Sequence, residues 1–155
     1  MSAREIVKTF VTALQSGDME TAAAHMSDDF ICSGWTPQSL DKAQFLAMQS
    51  ALLNAMPDYS YNLSDVSKVQ NEKHVVEALI QITGTHTNEL TLPILGMPPI
   101  PATGLAITLS QVKTRYTLKD NRVAEMYIET VPGCGLAGLL QQVGSELPVR
   151  PREDS

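Results

Sequence analysis

Apolar residues recur every three or four positions through the first third of the chain and every second position after it, which predicts helices first and a sheet second. Ile6, Val7, Phe10, Val11 and Leu14 share one helical face, with Ser2 and Glu5 as a capping box before them and Gly17 as the stop. Asp18 can cap a second helix reaching about Met26. Asp41 and Gln44 can cap a third, whose stripe of Phe45, Met48, Leu52 and Met56 is closed by Pro57. Between the last two, "DFICSGW" reads as a short strand.

From Tyr59, Tyr61 and Leu63 onward the period is two. Over Lys73 to Thr87, the residues Val76, Ala78, Ile80, Ile82 and His86 fall on one face, and Glu77, Gln81, Thr83 and Thr85 on the other. His86 is thereby placed on the apolar side. Another strand is expected over about Leu105 to Leu118, with Lys113 and Arg115 opposite Val112, Thr114, Tyr116 and Leu118. "KDNR" turns it back into a last strand, Val123 to Thr130, because Asp-Asn tolerates the positive φ of a tight reversal. "VPGCGLAGLLQQVG" then suggests a short closing helix from about Gly135.

The order implies an α+β domain in which a curved antiparallel sheet, cone-shaped, wraps around three N-terminal helices. Helices packed at one end of a bent sheet leave its mouth open, a natural cavity for a hydrophobic small molecule. The chain of 155 residues, 43% of them hydrophobic, suits one such domain over residues 1–144. Residues 145–155, almost without apolar side chains, are expected to be a disordered tail.

A net charge of −6 without any run of Lys or Arg argues against nucleic acid and anionic lipid as partners. The apolar stretch from Leu90 to Leu109 is no membrane span, because Pro93, Pro98, Pro99 and Pro101 interrupt it. Cys32 and Cys134 fit neither a disulfide framework nor a CxxC metal site. Charges within "SAREIVKTFVTALQSG" speak against a secretory leader, so a cytoplasmic location is expected. Neither a metal site nor a cofactor is expected, since HExxH and a glycine-rich strand-to-helix turn are missing from the sequence, and without G-x-S-x-G nucleophilic hydrolysis has no support.

The phrases "MPDYSYNLSDV", "ALIQITGTHTNEL", "GMPPIPATG" and "NRVAEMY", in that order and spacing, resemble the SnoaL-like polyketide cyclase family within the nuclear-transport-factor-2-like superfamily. The resemblance covers roughly Glu5 to Glu129 and rests most on "GTHT" followed by "GMPP" and "TG". It implies the cone-shaped fold, also called cystatin-like, that hosts cyclases, dehydratases, isomerases, epoxide hydrolases and pure binding modules. In the cyclases an aspartate on the strand after the proline-rich loop works near the histidine of the "GTH" motif, here His86. Counting back from the "DN" turn puts Thr114 in that place, and counting forward from "TG" puts Lys113 there; strand parity favours Thr114. Threonine cannot take a proton from carbon at neutral pH, so the chain departs from the cyclase pattern at this point.

His86 is accordingly the leading candidate for a general acid/base, its alternative being a hydrogen bond that fixes the proline-rich loop. Asp29, at the entry to the first strand, is a second catalytic candidate because related enzymes place an acid near there; its alternative is a solvated junction. Trp35, Tyr59, Tyr61, Tyr116, Met48, Met97 and Met126, together with Thr114, can line a pocket for a flat ring system, or simply fill the core. Two functions follow: acid/base conversion of a hydrophobic cyclic metabolite by cyclisation, isomerisation or dehydration, or ligand binding and assembly without chemistry. Val75, Leu79 and Leu109 on the outward face of the sheet suggest a homodimer built there, as is common in the superfamily.

Overall fold

The computed structural model describes residues 2–36, 38–70, 72, 74–92, 99–129 and 135–142, with the backbone alone at 135–137. The helices that the period requires are α1 (Ala3–Ser16), α2 (Met19–Ala24) and, after two strands, α3 (Lys42–Ala55). Ser2 accepts the Glu5 backbone N–H at 3.2 Å at the start of α1, and Gly17 closes the helix with φ +84°. Asp18 caps α2 through the Thr21 N–H. The complete reciprocal box belongs to α3, where Asp41 accepts from the Gln44 backbone and the Gln44 side chain accepts from the Asp41 N–H.

The strands are β1 (Met26–Ser33), β2 (Leu40–Asp41), β3 (Ser64–Lys68), β4 (Val75–Ile80), β5 (Thr83–Thr85), β6 (Ala106–Thr108), β7 (Val112–Lys119) and β8 (Arg122–Ile128). Six of them form one sheet in the order β2-β1-β8-β7-β4-β3. The α+β class holds, but the sheet is mixed rather than antiparallel, because β1 runs parallel to β8. That follows from topology: β1 belongs to the helical third of the chain and enters the sheet beside its last strand.

Two expected long strands are each cut in two. The run Lys73 to Thr87 breaks after Ile80, the run from Leu105 breaks after Thr108, and the outer pieces pair with each other as a separate sheet, β5–β6. Inward parity survives the break: Val76, Ala78, Ile80, Ile82, Gly84 and His86 are all buried. Register shifts between Met26 and Ile31, Ser64 and Ser67, and Thr117 and Leu118 add the local twist that a bent sheet needs.

The core lies between the helices and the inward face. Phe10, Phe30, Phe45 and Tyr116 pack ring to ring, with centroids 5.2 to 6.5 Å apart. Each such ring contributes about 1.5–3 kcal/mol on burial, so this cluster joins α1 and α3 to β1 and β7. Asp120 and Asn121, at φ +52° and +62°, make the left-handed turn between β7 and β8. Gly34 follows β1 at φ +89°, and a Cβ there would lie 1.9 Å from the Ile128 carbonyl oxygen. Only glycine lets β1 pass this close to β8 and deliver Trp35 into the core.

The chain closes with α4 (Gly135–Gln142), whose Gln142 amide grips both the N–H and the C=O of Thr108. Leu109 is buried and does not belong to the outward face, whereas Val75 and Leu79 are half-buried there. The break after Thr108 turns Leu109 inward, where its N–H reaches the Ile82 carbonyl. Among the described residues no helix is long and apolar enough to cross a membrane. Met97, Cys134 and the tail at 145–155 lie outside the described residues.

Candidate functional site

Two groups of polar side chains are buried among the apolar ones. The first is His86, just past β5. Its backbone N–H donates to the Leu105 carbonyl at 2.9 Å and its carbonyl accepts the Gly104 N–H at 2.7 Å, so the residue is clamped into the continuation of the β5–β6 ladder. From outside, Asp58 accepts both the N–H and the hydroxyl of Thr85, at 2.7 and 2.8 Å, and fixes the end of β5. Those bonds hold the Asp58 carboxyl below its ordinary range, the Thr85 backbone donor first.

The His86 ring is fully buried, with Nδ1 2.9 Å from the Thr103 hydroxyl. Nε2 makes no regular hydrogen bond among the described residues. Burial holds the imidazole below its ordinary pKa, against the opposing pull of the Asn88 backbone on the ring, so the ring is neutral at neutral pH. With Nδ1–H donating to Thr103, the lone pair of Nε2 is a base; with Thr103 donating instead, Nε2–H is an acid.

The second group lies where α3 meets the inward face of the sheet. Tyr61 donates its hydroxyl proton to Gln49 Oε1 in a short hydrogen bond, and the Tyr59 and Tyr61 rings meet edge to face with centroids 5.2 Å apart. Thr114 and Tyr116 share a hydroxyl–hydroxyl bond of 3.0 Å, and the Thr114 hydroxyl also reaches the Ala78 carbonyl oxygen at 3.2 Å. The carbonyl can only accept and Thr114 has one proton, so Thr114 donates to Ala78 and accepts from Tyr116.

Burial pushes all three phenols well above their ordinary pKa, and it pushes the Cys32 thiol up to about 12. Each phenol also feels the buried Cys32 thiol electrostatically. The Gln49 Nε2 and the Tyr59 hydroxyl make no regular hydrogen bond among the described residues.

Of the sequence candidates, Trp35, Met48, Tyr59, Tyr61, Thr114, Tyr116 and Met126 are all buried, and four of them, Tyr59, Tyr61, Thr114 and Tyr116, carry the polar groups just described. His86 is not joined to them by any hydrogen bond among the described residues. Asp29 lies elsewhere. It is exposed on the far side of β1, accepts from the Ser27 hydroxyl at 2.6 Å and sits 3.6 Å from the Lys119 ammonium. The Ser27 bond, then Lys119, keeps its carboxyl ionised below the usual range.

Gln49 was not among the candidates. The signal was available: it sits four residues after Phe45 and three before Leu52, a polar residue on an apolar stripe. Among the described residues no three His, Cys, Asp or Glu side chains gather closely enough to hold a metal ion.

A family model described as the SnoaL-like domain matches residues 7–126. The chain belongs to the SnoaL-like domain family. Among solved structures, IdmH from Streptomyces antibioticus, a candidate polyketide cyclase, is 21% identical with a TM-score of 0.66, over 90% of this chain and 99% of that one. A candidate SnoaL-like polyketide cyclase from Jannaschia sp. CCS1 is 21% identical with a TM-score of 0.67, over 91% and 90%. A cystatin-fold protein from Novosphingobium aromaticivorans is 16% identical with a TM-score of 0.60, over 83% and 98%. At these identities the likeness is one of fold. No curated protein matches the sequence significantly.

Proposed function

We propose that this SnoaL-like protein is an acid/base enzyme for a hydrophobic cyclic metabolite held in its interior, with His86 as the proton-transfer group. The reaction is of the cyclisation, isomerisation or dehydration type and needs no cofactor in this reading. One observation carries it: a fully buried, neutral imidazole is held at Nδ1 by Thr103, with the Asn88 backbone acting on the ring, while its Nε2 makes no regular hydrogen bond among the described residues.

One positioned acid/base group contributes about 10²–10⁴-fold. His86→Gln, which keeps a polar group of similar reach, is therefore expected to lower turnover at least about a hundredfold while the protein stays folded. Full turnover in the folded variant rejects the assignment. Asp29 has no part in this reading, because Ser27 and Lys119 occupy it in solvent.

A second reading, ligand binding without conversion, is favoured by Thr114. The residue at the place of the family aspartate carries no charge, and its hydroxyl is engaged with Ala78 and Tyr116. Recovery of an incubated ligand unchanged by mass spectrometry, with a raised melting temperature, selects this reading.

The outward sheet face supports a homodimer. Ile31 and Tyr127 are 40% and 47% exposed there, beside half-buried Val75 and Leu79 and the Arg115–Glu77 ion pair. Its basic residues, Lys113 and Arg115 on β7, face the acidic Glu125 on β8 and Glu129 just past its end, an arrangement a twofold axis can make self-complementary. Sedimentation showing only a 16.9 kDa species at tens of micromolar, about the range where an interface of standard size assembles, rejects the dimer.

A further inference from the structure

We propose that the Thr103 hydroxyl relays protons between the buried His86 imidazole and bulk water. This deepens the reading of His86 as an acid/base group and rests on it. A ring closed off from solvent can give or take a proton repeatedly only if that proton has a way out, and the His86 side chain is fully buried. Thr103 stands in the exposed run 101–106, yet its Oγ1 lies 2.9 Å from Nδ1. One side chain thus reaches from the ring to the surface. Among the described residues this is the one regular hydrogen bond the ring makes.

A threonine hydroxyl has one proton and two lone pairs. One lone pair takes the Leu105 N–H at 3.3 Å. If Nδ1–H donates to Thr103, it fills the second lone pair, and the hydroxyl proton is left for water. If Thr103 donates to Nδ1, the second lone pair is left to accept from water. Either tautomer of His86 therefore leaves Thr103 one valence for solvent, a donor in the first case and an acceptor in the second. Passing between the two moves a proton: Thr103 takes the Nδ1 proton while giving its own to a water molecule, and at no point carries a charge. A proton gained at Nε2 can then leave through Nδ1, which returns the ring to its neutral form in the other tautomer. The same steps in reverse bring a proton in.

No carboxylate competes for this role. Among the described residues the ring makes no hydrogen bond to one, and Asp58 is committed to the N–H and hydroxyl of Thr85. The backbone at Thr103 is also held without its hydroxyl. The Gly104 N–H donates to the His86 carbonyl at 2.7 Å, and the His86 N–H donates to the Leu105 carbonyl at 2.9 Å. Removing the hydroxyl therefore tests the relay and leaves this clamp in place.

The test uses the full-length protein with isotope-labelled histidine and no ligand. Exchange of the His86 ring proton with water is measured by NMR, the His86 signals being those that vanish in His86→Gln. Thr103→Val keeps the branching at Cβ and removes the hydroxyl. Exchange is expected to slow by about tenfold or more in this variant, because water must then reach the ring by local opening, and the Nδ1 resonance should shift. Thr103→Ser should restore both. A hydroxyl that merely fixes the loop gives the opposite sign, since its loss loosens the corner and quickens exchange. Thr103→Ile replaces Thr103→Val should the latter not fold. Exchange as fast as wild type or faster in Thr103→Val, or exchange still slowed in Thr103→Ser, overturns the relay and leaves the acid/base reading standing. Full turnover in His86→Gln removes that reading and leaves the measured exchange as it is.

Discussion

Tyr116 and Tyr59 are fully buried phenols in one interior, yet removing the hydroxyl from each should change stability in opposite directions. In Tyr116→Phe the ring still packs edge-on against Phe10 at 6.5 Å, and Thr114 still donates to Ala78. What disappears is the 3.0 Å bond between Tyr116 and Thr114. A net hydrogen bond is worth about 0.5–1.5 kcal/mol, so this variant should lose about 1 kcal/mol, or about 2–4 °C in Tm for a chain of this size. In Tyr59→Phe what disappears is the contact with the Tyr61 hydroxyl, which falls short of a regular hydrogen bond. The cost of burying an unsatisfied donor, about 1–3 kcal/mol, is relieved, offset in part by the small gap where the oxygen was. Stability should therefore hold or rise by about 1 kcal/mol. Urea unfolding of both variants, with unchanged m-values as the check that the unfolded state is the same, measures the pair. Loss of as much stability in Tyr59→Phe as in Tyr116→Phe would show that the Tyr59–Tyr61 contact is a full hydrogen bond and refute this reasoning.

Three further outcomes follow from the geometry. Gly34→Ala should destabilise the fold by about 3 kcal/mol or more, since a Cβ 1.9 Å from the Ile128 carbonyl must push β1 and β8 apart at a left-handed φ; thermal unfolding within about 1 kcal/mol of wild type contradicts this. His86 has its pKa lowered by burial, so the unfolded chain takes up a proton first as pH falls below about 6.5. Its contribution is then complete above that pH and lost progressively below it, and the slope of stability against pH between about 5 and 6.5 should be shallower in His86→Gln; parallel slopes reject a buried neutral ring. Asp58→Ala removes both bonds to Thr85, and amide exchange at Thr85 should quicken by about tenfold with no comparable change in β7; unchanged exchange would mean that the β5–β6 pairing alone holds His86 in place.

Parity was the most legible property of this sequence. Alternation carried from Val76 to His86 correctly put the imidazole inside, even though the strand itself breaks after Ile80, because inward and outward faces persist through an irregular residue pair. The helix caps were equally plain, since capping is a local matter of side-chain reach over three residues. The parallel pairing of β1 with β8 was not readable: nothing within "DFICSGW" distinguishes a parallel neighbour from an antiparallel one, and the choice is made by a strand nearly a hundred residues away. Leu109 was misplaced for a related reason, since the break after Thr108 moves the count by which its face was assigned. Gln49 escaped notice because a helical stripe was read for its apolar members, and a polar residue within it was passed over.

The buried polar groups restrict the chemistry in a way that the fold does not. Among the described residues every carboxylate is at least partly exposed, and the interior groups beside Tyr61 are neutral hydroxyls, an amide and a thiol held protonated. Such groups donate hydrogen bonds but remove no proton from carbon at neutral pH. On the acid/base reading proposed above, proton removal would fall to His86, which burial keeps unprotonated at neutral pH. A lone neutral imidazole is a modest base, effective only on a C–H already acidified by a neighbouring carbonyl whose oxygen is held by donors. Thr114, which strand parity favours for the place of the cyclase aspartate, is consistent with this restriction. An aspartate in place of Thr114 would put a carboxylate against the Ala78 carbonyl with no cation buried nearby among the described residues, so its own pKa would rise. Threonine leaves the interior uncharged and stable, and any reaction must then suit an activated substrate better than a strongly basic enzyme.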